Sequence, residues 1–373
     1  MKKHFRTMLG LLALSLFSFL VQTVNAADDD ISKSIERGAA YLTSQQGKDG
    51  GWHSQTYGQL KGGSAVTTLA LDTLSQLPDG LRKSHADAID NGFQFLQAGF
   101  AKKQTVAAAD GSLDFPTYGA ALWLTTKARL KRDQEATREA LARDYLLQAQ
   151  LLEPRGFAVD HASYGGWDFL GAGDSEGITT GTNVSIVAHV LEALAADRSA
   201  AADKARLAAR GWLLRCQQAD GGFCFTPEPM SLNNKAEFSD EGRTKPRSYG
   251  TATCDGIRGL LATGMKSDDE PIKRVITWLS KRPALEVVPG FEEQPAEADW
   301  RRGLRFYYYH SLARVLPLLP PSERISRSKE IQRILLAEQK SDGRWQNESD
   351  RMRENDPLIA TSLAIGTLCE LGR

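Results

Sequence analysis

Residues 45–52 read QQGKDGGW, residues 217–223 read QQADGGF, and residues 338–345 read EQKSDGRW. The same glutamine, Asp-Gly, aromatic phrase stands three times in one chain, each time after a stretch with apolar residues at helical spacing. Ile31, Ile35, Ala39, Tyr41 and Leu42 recur before the first copy; Ala205, Leu207, Gly211, Trp212 and Leu214 recur before the second; SKEIQRILLA precedes the third. Weaker copies stand in IDNGFQFLQAGFAKK, in ALARDYLLQAQLLEPRGFAVDHASYGGW and in PIKRVITWLSKRPALEVVPGF. Self-similarity at a period of roughly 50–70 residues marks a repeat architecture, and six first helices follow from it.

A second, more apolar helical stretch follows each first one: GGSAVTTLALDTLSQL, PTYGAALWLTTKARL, GTNVSIVAHVLEALAA, SYGTATCDGIRGLLATG, WRRGLRFYYYHSLARVL and NDPLIATSLAIGTLCEL. Runs of β-branched alternation are almost absent, so the pattern predicts an all-α repeat protein of six hairpins. Charge on the first helices suits an outer ring. Small and apolar residues on the second suit an inner ring buried on two sides. The prediction is an (α/α)6 toroid.

The phrase then has a structural meaning. Asp-Gly and Gly-Gly turn the chain at a helix C-terminus, because glycine accepts positive φ without a Cβ clash. The glutamine satisfies backbone groups of a neighbouring helix end, and the aromatic covers it. Gln46, Asp49, Gly50, Trp52, Gln218, Asp220, Phe223, Gln339, Asp342 and Trp345 are therefore read as rivets between hairpins.

The N-terminus reads as a leader. Lys2, Lys3 and Arg6 precede an apolar run from Leu9 to Val21, and Val24-Asn25-Ala26 offers a small-residue cleavage site. The expected organisation is a signal peptide at 1–26, one toroid domain at 27–373, and a periplasmic or extracellular product. No second long apolar run exists, which predicts no transmembrane segment. Loss of the leader leaves 43 basic against 46 acidic side chains. Such a balance has no basic stripe for phosphates and argues against nucleic acid. Cys216, Cys224, Cys254 and Cys369 are read as buried free thiols, with a local Cys216–Cys224 bridge as the alternative.

The arrangement resembles the QW repeats of the squalene/oxidosqualene cyclase and protein prenyltransferase superfamily, across nearly all of residues 31–373. The segment DGGFCFTPEPMSLNNKAE…RSYGTATCDGIRGLLATG is similar to secreted bacterial prenyltransferase/squalene-cyclase-repeat proteins. The resemblance implies an α/α toroid. Class II cyclases use an Asp-x-Asp-Asp acid, which this chain lacks. Prenyltransferase β-subunits hold zinc through Asp-x-Cys on one inner helix and a histidine on the next. Here Cys254, Asp255 and His310 match in type and helix order, but Cys254 and Asp255 are adjacent, and adjacent helix positions diverge by about 100°. The Gly-Cys-Gly-Glu-Gln signature of complement-type thioester toroids is also missing.

Candidate lumen residues come from the inner helices. Phe306 and His310 lie at i, i+4, apart from the apolar stripe Leu304, Tyr308, Leu312 and Val315. Asp255 shares a face with Thr251 and Arg258, so it either pairs with Arg258 or reaches His310 as an acid or orienter. His189 is read as a core histidine, and Asn183 or Thr182 as a cap. Tyr118, Trp123, Tyr249, Phe306 and Tyr307 or Tyr309 supply aromatic wall, and Tyr118, Tyr249, Phe306 and Tyr307 are the candidate ligand contacts. Segments 164–183 and 226–250 are long enough for binding loops, and Asp174 with Glu176 offers a weak cation site. Three readings of function follow: a toroid binding an apolar isoprenoid or lipid, with Asp255 and His310 as acid–base groups; a glycan-active hydrolase or lyase; and a noncatalytic module with a protein partner.

Overall fold

The computed structural model describes residues 29–108, 114–171, 181–228, 235–292 without 241 and 243, 294 and 299–373. The expected leader, Asp174 and Glu176 lie outside them. The helices in chain order are α1 (29–44), α2 (Ser64–Ser75), α3 (Asp79–Ser84), α4 (Ala86–Lys103), α5 (Pro116–Arg129), α6 (Ala136–Ala149) and α7 (Val184–Ala193). They continue with α8 (Ala200–Cys216), α9 (Gly250–Ala262), α10 (Glu270–Ser280), α11 (Trp300–Gly303), α12 (Arg305–Ala313), α13 (Pro321–Glu338) and α14 (Pro357–Leu371). Among the described residues there is no strand, only two isolated bridge pairs.

The predicted second helices form the inner ring. α2 packs on α5, α5 on α7, α7 on α9, α9 on α12, α12 on α14, and α14 back on α2. That closed circuit is the (α/α)6 toroid the repeat predicted. The division of labour shows in burial: every residue from Gly250 to Leu260 of α9 is buried, whereas the outer α13 buries only Arg327, Ile331, Ile334 and Leu335. An inner helix faces both an outer helix and the lumen, so it carries apolar and small residues all round.

The repeated phrase rivets the outer ring. Gln46 Nε2 donates to Gly50 O (2.7 Å) and to Ala88 O of α4 (2.8 Å). Gln339 Nε2 donates to Gly343 O and to Ser34 O of α1, both at 2.9 Å, which ties the last outer helix to the first. In the middle copy the expected Gln218 is corrected to Gln217, which donates to Gly221 O (3.0 Å) and Pro271 O of α10 (2.9 Å). Gln218 bonds Cys216 O and Cys224 Sγ instead. A fourth rivet stands in a weak copy: Gln150 reaches Gly165 O and Ala205 O of α8, both at 2.9 Å.

Two glycines show why the turn is so strict. Gly50 has φ +88° and Gly343 φ +93°, and a Cβ there would lie 2.5 Å from Asn91 O and 2.4 Å from Arg37 O. Both carbonyls belong to the next outer helix, so the turn lies directly on its backbone. The aromatics seal the joint: Trp52 Nε1 donates to Leu42 O (2.6 Å) and Trp345 Nε1 to Leu335 O (2.8 Å). Their backbone N–H groups donate to Thr67 of α2 and Thr361 of α14.

All four cysteines are buried free thiols, so the Cys216–Cys224 bridge does not form. Cys224 Sγ donates instead to the carbonyls of Cys216 and Thr226. Among the described residues no helix is long and apolar enough to cross a membrane.

Candidate functional site

The inner ring encloses a cavity of about 1020 Å³, lined by all six inner helices and by the loops over their N-terminal ends. Each helix turns a stripe at i, i+3 or i+4 inward, so the wall is layered by depth. Tyr118, Leu122, Thr125 and Arg129 descend α5; Ser185, His189 and Glu192 descend α7; Tyr307, His310 and Arg314 descend α12. The upper wall is largely aromatic and aliphatic, with Leu60, Val66, Leu69, Phe115, Phe169 and Leu363 among its members.

A chain of polar groups crosses the middle layer. Tyr118 OH donates to Ser185 Oγ (2.7 Å), Ser185 Oγ is bonded to Tyr307 OH, and Tyr307 OH donates to Asp255 Oδ2 (2.9 Å). With both tyrosines donating, Ser185 donates to Tyr307, and every O–H in the chain points toward Asp255. Asp255 Oδ1 accepts from Arg258 Nη1 (2.7 Å) and from Ser311 Oγ. Such a chain lets a carboxylate receive a proton from a group beside Tyr118 through successive hydroxyl transfers.

Below it the charges are paired. Arg258 forks onto Glu192 through Nε (2.9 Å) and Nη2 (2.7 Å), Arg314 Nη2 joins Glu192 at 3.1 Å, and Arg129 meets Asp72 at 2.7 Å. Burial works to raise the Glu192 carboxyl, yet Arg258 and Arg314 hold it well below the usual carboxylate range. Burial works to lower Arg258, and Glu192 with Asp255 overcomes it and raises the guanidinium further.

Asp255 and His310 both line the lumen, but no hydrogen bond joins them: the oxygens of Asp255 go to Arg258, Ser311 and Tyr307. His310 Nδ1 has no hydrogen-bond partner, and burial, then Arg314 and Arg258, push the ring well below its ordinary pKa and keep it neutral. His189, expected in the core, also lines the cavity, with Nδ1 2.9 Å from Ser185 O. Asn183 caps α7 through Ile186 N.

Tyr118, Tyr249 and Tyr307 line the wall as expected, and Phe306 does not. The chain leaves helical geometry at Leu304 (φ −120°, ψ 17°) between α11 and α12. The inward stripe runs through Leu304, Tyr307, His310 and Arg314, and Phe306, one position and so about 100° from Tyr307, is buried outside the cavity lining. Trp123 likewise packs outside the lumen, against Phe93 and Phe100 of α4. The zinc set is corrected too. Cys254 is absent from the lining that holds Asp255 and His310, and among the described residues no three of His, Cys, Asp and Glu stand close enough for a metal. Adjacent positions on one helix diverge as the spacing warned.

Sequence reasoning missed Glu354. Its carboxylate accepts from Tyr307 N (2.8 Å), Phe306 N (3.1 Å) and Asn347 Nδ2 (2.8 Å), which places it on the N-terminus of α12 from another part of the chain. Burial pushes it up to about 7 although these donors favour the charged form. Its position in NESDRMREND, a short charged stretch, carried no signal of burial.

Solved structures share this ring. The type II terpene cyclase MstE from Scytonema matches 91% of this chain and 97% of its own, with TM-score 0.61 and 17% identity. A variant of MstE with its substrate geranylgeranyl dihydroxybenzoate matches 93% and 98%, with TM-score 0.60 and 15% identity. An inactive variant of the α-1,6-mannanase of Salegentibacter sp., with α-1,6-mannotriose, matches 91% and 98%, with TM-score 0.57 and 13% identity. At these identities the likeness is one of fold. No protein-family model and no curated protein matches the chain.

Proposed function

We propose that this toroid binds an apolar ligand of isoprenoid or lipid class in its lumen, as an exported relative of the cyclase and prenyltransferase toroids. The observation that carries the reading is the cavity of about 1020 Å³ with aromatic and aliphatic upper walls. Cavities of this size suit a chain-like organic ligand held by burial of apolar surface. Asp255 and His310 are the proposed acid–base groups. Asp255 ends the hydroxyl chain from Tyr118, and neutral His310 keeps an unused ring nitrogen.

A glycan-active toroid has less support. It needs one carboxyl free to donate and a second free to act beside it. Asp72, Glu192 and Asp255 are all paired with arginines, and Glu354 is held by the N–H groups of Phe306 and Tyr307 and by Asn347. A protein-interaction module leaves the cavity itself unexplained.

Titration of the protein with farnesol, followed by tryptophan fluorescence, tests the reading. Saturable binding that is lost when Leu69 and Leu122 are both replaced by Trp, with the thermal midpoint retained, supports it. Binding unchanged by that blockage, or none at all, contradicts it.

A further inference from the structure

We propose that the mouth of the lumen holds the anionic head group, a carboxylate or phosphate, of the same ligand; this rests on the lumen-binding reading above. Lys235, Arg351 and Arg353 line the cavity at one end. Among the described residues none of them forms an ion pair. Each stands over aromatic rings instead. Lys235 Nζ lies 3.3 Å from the Phe225 ring centre and 5.9 Å from that of Trp300, and Arg351 lies 6.0 Å from Trp300. Arg353 lies 5.0 Å from Phe115 and 5.7 Å from Tyr57.

The contrast with the opposite end decides the argument. There Arg129, Arg258, Arg314 and Arg373 all have carboxylate partners. Lys235 and Arg353 are half-buried and Arg351 is exposed, and like charges gathered at one rim repel unless an anion joins them. Burial, then the charge of Arg353, lowers Lys235 to about 7. Arg353 also adopts φ +64°, a left-handed backbone that a side chain other than glycine rarely takes. The inner helices begin at this same end, so their dipoles add positive potential. Guanidinium groups match carboxylate and phosphate oxygens, and aromatic faces beside them suit the first carbons of a tail. Among the described lining residues at this rim the carboxylates are Asp350 and Glu354, and Glu354 is held by the backbone of α12.

Titrations with farnesyl phosphate, farnesol and inorganic phosphate test this. We expect farnesyl phosphate to bind at least about tenfold tighter than farnesol, with phosphate alone much weaker than either. Lys235→Met with Arg353→Met should erase the preference and leave farnesol affinity within about twofold. The thermal midpoint of that variant should hold or rise, since two half-buried cations that repel each other are removed. Equal affinity for farnesol and farnesyl phosphate overturns the head-group site and leaves the lumen reading standing. Phosphate binding as tightly as farnesyl phosphate overturns the link between head and tail. Absence of binding by both farnesyl ligands overturns both readings.

Discussion

Asp255 takes three donors from two helices, and its charge is matched by Arg258 at 2.7 Å. Arg258 keeps its fork onto Glu192 when Asp255 is neutralised, so the loss is that of charge-assisted hydrogen bonds, about 1.5–3 kcal/mol. Asp255→Asn should therefore lower unfolding free energy by about 1.5–3 kcal/mol in urea titration, and Tyr307→Phe by about 1 kcal/mol. An Asp255→Asn protein as stable as the parent would show that the pair contributes nothing. Glu354 makes a pH prediction. Its folded pKa, about 7, lies above the ordinary 4.5. The stability it contributes is complete below about pH 4.5 and is lost as pH rises through 7, by about 3 kcal/mol. Glu354→Gln should remove that slope, so the difference between the two proteins should change between pH 4.5 and 8; parallel profiles would contradict it. At this scale the sequence was half legible. The Asp255–Arg258 pair follows from i, i+3 spacing on one helix. Its partners Tyr307, Ser311 and Glu192 come from other helices, and no local pattern announces a bond between inner helices. Phe306 was misplaced because i, i+3 and i, i+4 neighbours of His310 flank it on opposite sides, and the stripe takes Tyr307.

At the scale of elements the rivet was legible, and its register was not. Counting from the glycine solves it: Gln46, Gln217 and Gln339 each stand four residues before the positive-φ glycine of their turn, Gly50, Gly221 and Gly343. Pairing the copies by their QQ letters picked Gln218 instead. Gln217→Ala, which removes the donor to two backbone carbonyls at the joint, should cost about 1–3 kcal/mol, and Gln218→Ala clearly less. The reverse order in chemical denaturation would refute the assignment. Gly343→Ala should cost at least about 2 kcal/mol, because the new Cβ meets Arg37 O and φ is unfavourable. Two seams lack a glutamine. Arg327 Nη2 closes α13 on Leu279 O at the end of α10 (2.7 Å), and Arg132 pairs with Asp90 of α4 at 2.5 Å. Neither could be read ahead, since a lone arginine in an outer helix, like Arg327, or in a connection, like Arg132, normally points to water.

At the scale of the molecule, six apolar second helices and a repeated turn were enough for the toroid. Closure is physical and not merely topological: α14 packs on α2, and Gln339 bonds Ser34 across 305 residues of sequence. The chemistry of the ligand was not legible, because Lys235 and Arg351 to Glu354 sit in loops whose letters look like solvated charge. Deleting residues 357–373 should open the ring, expose the apolar backs of α2 and α12, and abolish a cooperative thermal transition read by near-ultraviolet circular dichroism. A sharp transition in the truncated protein would mean that the hairpins fold independently. The central claim is that the lumen holds an apolar ligand, and native mass spectrometry of the protein purified from its own cells tests it most directly. The account predicts an added mass of a lipid or isoprenoid, absent when Leu69 and Leu122 are both Trp. A bare protein mass that stays bare after incubation with farnesol and farnesyl phosphate would contradict it.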